Sequence, residues 1–312
     1  MRRTCVLLTL GGLAMAQADE LPDFTKLWNF TKPAETRARF LELVPVAEAA
    51  GDDDYRLQLQ TQIARTWGLE GKFEEAHAVL DAVEKEHAWD GASMPVVRVR
   101  YLLERGRAFN SGKKKDKAKP LFLEAWDTAR KAKLDALAVD AAHMMAIVEP
   151  AAADQHAWNR KAMELAEASD DPRARGWLGS LYNNVGYTHL QAGEYGKALD
   201  LFEKQRAFYA ERGSPESQRI AKWMVAHTYR KMGRLDEALA MQREMEQALR
   251  DAGSGDDGFV CEEIGEILLA QGKTDEARPY FARAHAKLKE IAWVRDDPAR
   301  LERLRKLAAG DE

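Results

Sequence analysis

The chain has 312 residues, of which 46% are apolar and 31% are charged, a composition that excludes a disordered or low-complexity protein. Its 47 basic and 51 acidic residues give a net charge of -4, so it lacks the positive potential that general nucleic-acid binding requires. No apolar run is long and uncharged enough to cross a bilayer, which needs about 18 residues or more. We therefore expect no nucleic-acid partner and no membrane span.

The first 18 residues have the pattern of a secretory signal peptide. Two arginines precede a short apolar stretch at 6–13, and small residues then form two cleavage patterns that end at Ala16 and Ala18. We expect residues 1–18 to be removed and the protein to be exported, either to the periplasm or out of the cell.

Residues 19–56 are expected to form an extended segment followed by a capping helix. Trp28 and Phe30 belong to a short apolar pattern that we expect to lie on the first helix pair as an extended plug. The stretch 33–48 begins with proline and carries Phe40 on an apolar helical face, which is typical of a cap.

Between residues 57 and 291 one helix, turn and helix pattern recurs about every 40 residues. Five copies align on a turn residue: Gly71, Lys113, Gly193, Gly233 and Gly272. Seven positions before it stands a small residue: Ala64, Gly106, Gly186, Ala226 and Gly265. Five positions after it stands an alanine: Ala76, Ala118, Ala198, Ala238 and Ala277. The gap from Ala118 to Ala198 is 80 residues, which predicts a sixth copy at about 136–170, with Ala162 on its second helix.

Close packing of two antiparallel helices explains these residue types. Small residues let the helices approach, and bulky residues between them fill the layer. Each of the five copies has a bulky residue nine positions after the turn: Leu80, Phe122, Phe202, Gln242 and Phe281. Glycine at the turn supplies the left-handed backbone that ends the first helix, and at Lys113 we expect the adjacent Gly112 to supply it.

Residues 292–312 are expected to form a C-terminal capping helix. Asp297 and Pro298 provide a helix start, and Leu301, Leu304 and Leu307 follow at helical spacing.

The recurring small, bulky, glycine and alanine positions resemble the tetratricopeptide repeat (TPR), in its longer variety of about 40 residues. The resemblance implies an all-α fold, a right-handed α-solenoid of six stacked antiparallel helix pairs with capping helices at both ends. It also implies a non-catalytic scaffold that binds a protein or peptide in a concave groove lined by the first helices.

Positions 13, 10, 9 and 6 before the turn fall on one stripe of each first helix. From this stripe we expect the peptide-binding residues Arg65, Arg100, Arg107, Asn183, Asn184, Tyr187, Trp223, His227, Glu262, Glu263 and Glu266. The stripe changes from basic to acidic along the chain, so we expect the acidic part of a peptide near the arginines and its basic part near the glutamates. Asn184 would hold the peptide backbone, and Tyr187 and Trp223 would take an apolar side chain. The alternative is that these residues form a solvated polar surface.

The usual catalytic and metal-binding signatures are missing. No two histidines have the four-residue spacing of a helical zinc site, and the acidic runs lack the full ligand series of a calcium loop. Cys261 lies in a helical apolar pattern and is expected to be buried and unreactive. We therefore expect no catalytic residue, no metal and no cofactor.

The competing hypothesis is an enzyme or enzyme subunit that acts on the cell envelope through an acid in the groove. It requires a carboxyl group in an apolar pocket, whereas we expect the acids of the stripe to be exposed.

Overall fold

The computed structural model describes residues 21–86 and 94–311. The predicted signal peptide at 1–18 lies outside these residues. Within them the chain forms sixteen α-helices and one short 3₁₀ helix and no strand, which confirms the all-α fold class.

The described residues up to 132 make up the first of two compact units. After the 3₁₀ helix Phe24–Leu27, its described helices are α1 Pro33–Ala50, α2 Asp53–Leu69, α3 Phe73–Glu86, α4 Pro95–Ser111 and α5 Lys115–Lys131. Helix α1 packs on α2, and the pairs α2 with α3 and α4 with α5 are the first two repeats.

Residues 133–311 make up the second compact unit. Its helices are α6 Asp135–Val148, α7 Ala152–Ala168, α8 Pro172–Arg175, α9 Leu178–Gln191, α10 Tyr195–Arg212, α11 Pro215–Lys231, α12 Leu235–Asp251, α13 Gly258–Ala270, α14 Thr274–Leu288, α15 Ala292–Arg295 and α16 Pro298–Ala309. Four consecutive pairs, from α6 with α7 to α13 with α14, are the remaining repeats, and α16 packs on α14.

Helices α6 and α7 form a pair at the place where the 80-residue gap predicts a sixth repeat. Its turn lies at Pro150, because the second helix begins two residues later in every copy. Ala162 lies on α7, as expected, and both it and Ala166 are fully buried. Gln155 takes the place of the usual alanine and donates a hydrogen bond to the carbonyl oxygen of Glu149 at 2.7 Å.

In three of the helix pairs a phenylalanine ring of the second helix lies directly against a glycine of the first. A Cβ atom built on Gly186 would lie 2.7 Å from the ring of Phe202, which is too short for a real contact. The same close approach joins Gly265 to Phe281, at 2.8 Å, and Gly106 to Phe122. The two copies that have alanine in place of this glycine have a residue without a ring opposite it, Leu80 and Gln242.

All five turn residues of the clear repeats adopt a left-handed backbone, including Lys113 at φ 61°. Our expectation that Gly112 would supply this conformation is wrong, because Gly112 has φ -75°. The hydrogen bonds of the turn determine which residue adopts the left-handed backbone. The amides of Lys113 and Lys114 donate to the carbonyls of Asn110 and Phe109, the pattern that Gly193 and the residue after it also make.

The N-terminal segment, defined here as residues 21–32, packs on α1 and α2 as expected, but it is not extended throughout. Phe24–Leu27 form the 3₁₀ helix, because the side chain of Asp23 caps it by accepting a hydrogen bond from the Thr25 amide at 3.0 Å. Phe24 is buried against Phe40.

The left-handed backbone at Lys113 predicts that Lys113→Gly stabilises the protein by about 0.5 kcal/mol. Glycine removes a strain of about 1–2 kcal/mol at the cost of about 0.4–1 kcal/mol of extra freedom in the unfolded chain. Urea unfolding measures the change. Gly193→Ala is the matched control and is expected to destabilise by about 1 kcal/mol. A loss of stability in Lys113→Gly would contradict this account.

The contact between Gly186 and Phe202 predicts that Gly186→Ala lowers the free energy of unfolding by about 1–3 kcal/mol, because the new methyl group has no space. Adding Phe202→Leu is expected to recover part of this loss, since Ala64 and Leu80 combine in the same way.

A double-mutant cycle with urea unfolding measures the coupling between the two substitutions. Gly196→Ala is the matched control, because a Cβ atom at Gly196 meets nothing within 4 Å and should cost no stability. Additive effects of Gly186→Ala and Phe202→Leu would show that the close approach is not the reason why a glycine stands opposite a phenylalanine.

Candidate functional site

The eleven residues predicted to bind a peptide divide between the two units. Three of them lie in the first unit: Arg65, Arg100 and Arg107. The other eight lie in the second unit, on α9, α11 and α13: Asn183, Asn184, Tyr187, Trp223, His227, Glu262, Glu263 and Glu266.

In the first unit, two of the arginines share one buried carboxylate. Glu104 on α4 is buried, and its Oε1 accepts hydrogen bonds from Arg107 Nη1 at 2.7 Å and from Arg65 Nη1 at 3.2 Å. The pair of Arg65 with Glu104 joins α2 to α4, so these charges hold neighbouring first helices together.

Arg65 and Arg100 also lie over aromatic rings of the N-terminal segment. The guanidinium carbon of Arg65 is 5.4 Å from the ring centre of Phe30 and 5.7 Å from that of Trp28. The guanidinium carbon of Arg100 is 5.5 Å from the ring centre of Phe24. Two side chains expected to face a ligand therefore contact the chain itself.

In the second unit, Glu263 on α13 binds Arg230 and His227 of α11. Its carboxylate accepts hydrogen bonds from Arg230, at 2.6 and 3.1 Å, and lies 3.0 Å from Nδ1 of His227. Burial alone would raise the pKa of Glu263, but the hydrogen bonds from His227 and Arg230 outweigh it and lower the pKa below its usual value. Glu263 is therefore a buried carboxylate that joins two first helices.

The other two predicted acids pair with the C-terminal helix α16. Glu262 accepts a hydrogen bond from Arg300 Nε at 3.0 Å, and Glu266 forms an ion pair with Arg303. Our expectation that the acids of the stripe are exposed is wrong for Glu263, which is buried, and Glu262 and Glu266 are largely covered. The physical reason is that α11 and α16, which lie on either side of α13 in the sequence, carry arginines in matching positions.

Apolar side chains, unlike these charges, remain open on the same unit. The indole of Trp223 stacks on His227 with ring centres 4.8 Å apart, and its Nε1 donates to the carbonyl oxygen of Phe259 at 3.2 Å. Phe259 in turn stacks on Trp293 of α15 at 5.7 Å. Trp293 is 61% exposed, and Ile220, one helical turn before Trp223, is 46% exposed. We call Ile220, Trp223, Phe259 and Trp293 the aromatic face.

Helix α9 presents the remaining predicted residues at the corresponding positions of the preceding clear repeat. Tyr187 is 51% exposed. Asn183 accepts a weak hydrogen bond from Gln205 Nε2 at 3.4 Å, and Asn184 is half-buried.

Sequence reasoning missed several residues of this site. Ile220 and Phe259 stand 13 positions before their turns, like Arg100, so the stripe itself could have found them. Trp293 carries no repeat signal, because it follows the last repeat and reaches Phe259 only through the fold of α15. Arg300 also has no such signal.

Across 21–86 and 94–311, no group of three or more histidine, cysteine or acidic side chains is arranged to hold a metal ion. None of the described helices combines the length and apolar character that a bilayer span needs. Cys261 is buried, as expected, and burial raises the pKa of its thiol to about 12.

No protein-family model and no curated protein matches the chain. Several solved structures do. One is a signal transduction ATPase from Pyrococcus horikoshii with a tetratricopeptide repeat sensor, which has a TM-score of 0.65 and 16% identity and covers 88% of this chain and 42% of that chain. Another is BtubC (BKLC) from P. vanneervenii, with a TM-score of 0.56, 16% identity, and coverage of 74% of this chain and 94% of that one.

A third solved structure is NprR in complex with its cognate peptide NprX, with a TM-score of 0.50 and 13% identity. It covers 93% of this chain and 84% of that chain. At these identities the likenesses show the fold alone. The chain thus has the fold of a TPR protein, an all-α solenoid of stacked helix pairs, as the sequence pattern predicted.

The lowered pKa of Glu263 predicts a pH-dependent contribution to stability. The contribution is present above the ordinary glutamate pKa of about 4.3 and is lost as the pH falls through the lower pKa of the folded state. Glu263→Gln is expected to destabilise by about 3 kcal/mol at pH 7, because it leaves Arg230 without its anion.

Urea unfolding at several pH values between about 3 and 7 tests this prediction. The free energy of unfolding should fall less steeply with acid in Glu263→Gln than in the wild type. Parallel pH profiles for the two proteins would show that Glu263 has an ordinary pKa.

Proposed function

We propose that the chain is a non-catalytic scaffold that binds a protein or peptide segment on the first-helix surface of its second unit. The aromatic face is the main contact, and Tyr187 extends it onto α9. The observation that carries this proposal is the contrast between exposed apolar rings and charges that already have partners in the chain.

The energetics favour the apolar groups. Exposed ion pairs are typically worth about 0–1 kcal/mol, whereas truncating a well-placed aromatic side chain at an interface costs about 2 kcal/mol or more. A basic peptide would first have to displace Arg300 from Glu262 and Arg303 from Glu266. The ligand segment is therefore one with an apolar or aromatic side chain that covers Trp293 and Ile220.

The amides of α9 suit the backbone of such a segment. A side-chain amide offers both a donor and an acceptor, and the one bond that Asn183 makes to Gln205 is weak at 3.4 Å. Asn183 and Asn184 would pair with one peptide unit while Tyr187 packs beside it. Micromolar affinity, about -8 kcal/mol, is the expected range.

The solved structures support a binding role. NprR, which has a similar fold, is seen with its cognate peptide NprX. The location of the ligand on the first helices and its apolar character are our proposal for this chain, as is export to the periplasm or out of the cell.

No observation on the described residues specifically favours the enzyme hypothesis. It requires an acid whose pKa is raised so that it holds a proton near neutral pH. The buried carboxylate of Glu263 has a lowered pKa instead, and it is fixed by Arg230.

Removing the exposed apolar side chains tests the proposal. The double variant Ile220→Ser with Trp293→Ala is expected to lose at least about tenfold in affinity for partners that crosslinking captures with the wild type, because it removes the anchors of the surface. The control is Leu41→Ser with Leu123→Ser, which removes similarly exposed apolar side chains from α1 and α5.

The affinities of purified partners are measured for both double variants and the wild type. The control should bind like the wild type. Equal binding by all three proteins would show that the aromatic face is not the docking surface.

A further inference from the structure

The N-terminal segment lies on the first unit in the manner of a bound ligand. Phe24 is buried among Phe40 of α1 and Leu59 and Ile63 of α2, and its ring meets that of Tyr55 at 5.2 Å. These contacts place one aromatic anchor in an apolar pocket formed by two helices.

A second pair of rings covers the surface beside this pocket. Trp28 stacks on Phe30 with ring centres 4.8 Å apart and meets Phe40 edge-on at 5.3 Å. Phe30 remains 57% exposed. Arg65 lies over both rings of this pair.

The side chains of Tyr55 and Thr36 form hydrogen bonds with the backbone of the segment. Tyr55 Oη donates to the carbonyl oxygen of Pro22 at 2.7 Å. The hydroxyl of Thr36 accepts from the Asn29 amide at 3.0 Å and donates to the Asn29 carbonyl at 3.2 Å. The three rings supply the apolar contacts, and their spacing in the sequence is the part that a ligand has to reproduce.

We propose that this surface of α1, α2 and α4 is a binding site for a peptide segment with aromatic residues spaced like Phe24, Trp28 and Phe30. Residues 21–32 of the chain are its occupant in this structure. The surface favours aromatic side chains, because a guanidinium group of Arg65 or Arg100 lies over each of the three rings.

Covalent connection gives the resident segment an advantage over any other ligand. A short linker holds it at an effective concentration of about millimolar, so a free peptide of the same pattern has to compete with it. This site is independent of the aromatic face, which lies in the other unit, and either site can fail without the other.

The test uses the full chain and a labelled synthetic peptide of residues 21–32 as the probe. In the receptor variant, Phe24→Ala, Trp28→Ala and Phe30→Ala together release the resident segment. This variant is expected to bind the probe, and the wild type is expected to bind it at least about tenfold more weakly because its site is occupied.

Two controls accompany this measurement. A probe with its three aromatic residues replaced by alanine should not bind. Adding Tyr55→Phe to the receptor variant should weaken binding of the probe about fivefold, because the bond to the Pro22 carbonyl is lost. Failure of the folded receptor variant to bind the probe at about 1 mM, the effective concentration of the tethered segment, would overturn the proposal.

A second experiment needs no substitution of the rings, in case the triple variant does not fold. A protease site inserted after Thr31 allows the segment to be cut in the otherwise native chain. After cutting, the segment should exchange with the labelled probe. Loss of the segment without binding of the probe, or a segment that stays and never exchanges, would show that it is a permanent part of the fold.

Discussion

The contact of a phenylalanine ring with a glycine backbone sets the distance between the two helices of three repeats, and the other features of the structure depend on it. The ring of Phe202 occupies the space that a side chain at Gly186 would need, so the first helix lies directly on the second. The close approach directs the opposite side of each first helix away from its partner. The residues of the predicted stripe lie there and meet the neighbouring first helix or solvent.

On that side of the first helices the charged residues pair with one another. Glu104 joins α2 to α4, and Glu263 joins α11 to α13 through hydrogen bonds from residues one repeat away. In the second unit the rings of Tyr187 and Trp293 remain exposed. In the first unit the rings of residues 21–32 cover part of the corresponding surface. The same kind of helix surface is therefore open in one unit and occupied in the other.

The repeat pattern was predictable from the sequence because it depends on local spacing. It placed every helix pair, including the sixth, and it identified the small residues that lie opposite the rings. The features that the repeat pattern could not predict depend on residues that are far apart in the sequence. Arg300 reaches Glu262 from 38 positions away, and Trp293 reaches Phe259 through the fold of α15. The left-handed backbone at Lys113 was missed because residue preference favoured Gly112, whereas the hydrogen bonds of the turn fix the position.

The central claim is that apolar contact, and not charge, binds the partner of the second unit. The salt dependence of the affinity of a captured partner tests it most directly, because added salt screens exposed charges and leaves apolar contact intact. Between about 0.05 and 0.5 M sodium chloride we expect the dissociation constant to change by less than about threefold. A weakening of about thirtyfold or more over this range would contradict the account and point instead to Glu262 and Glu266 as the ligand contacts.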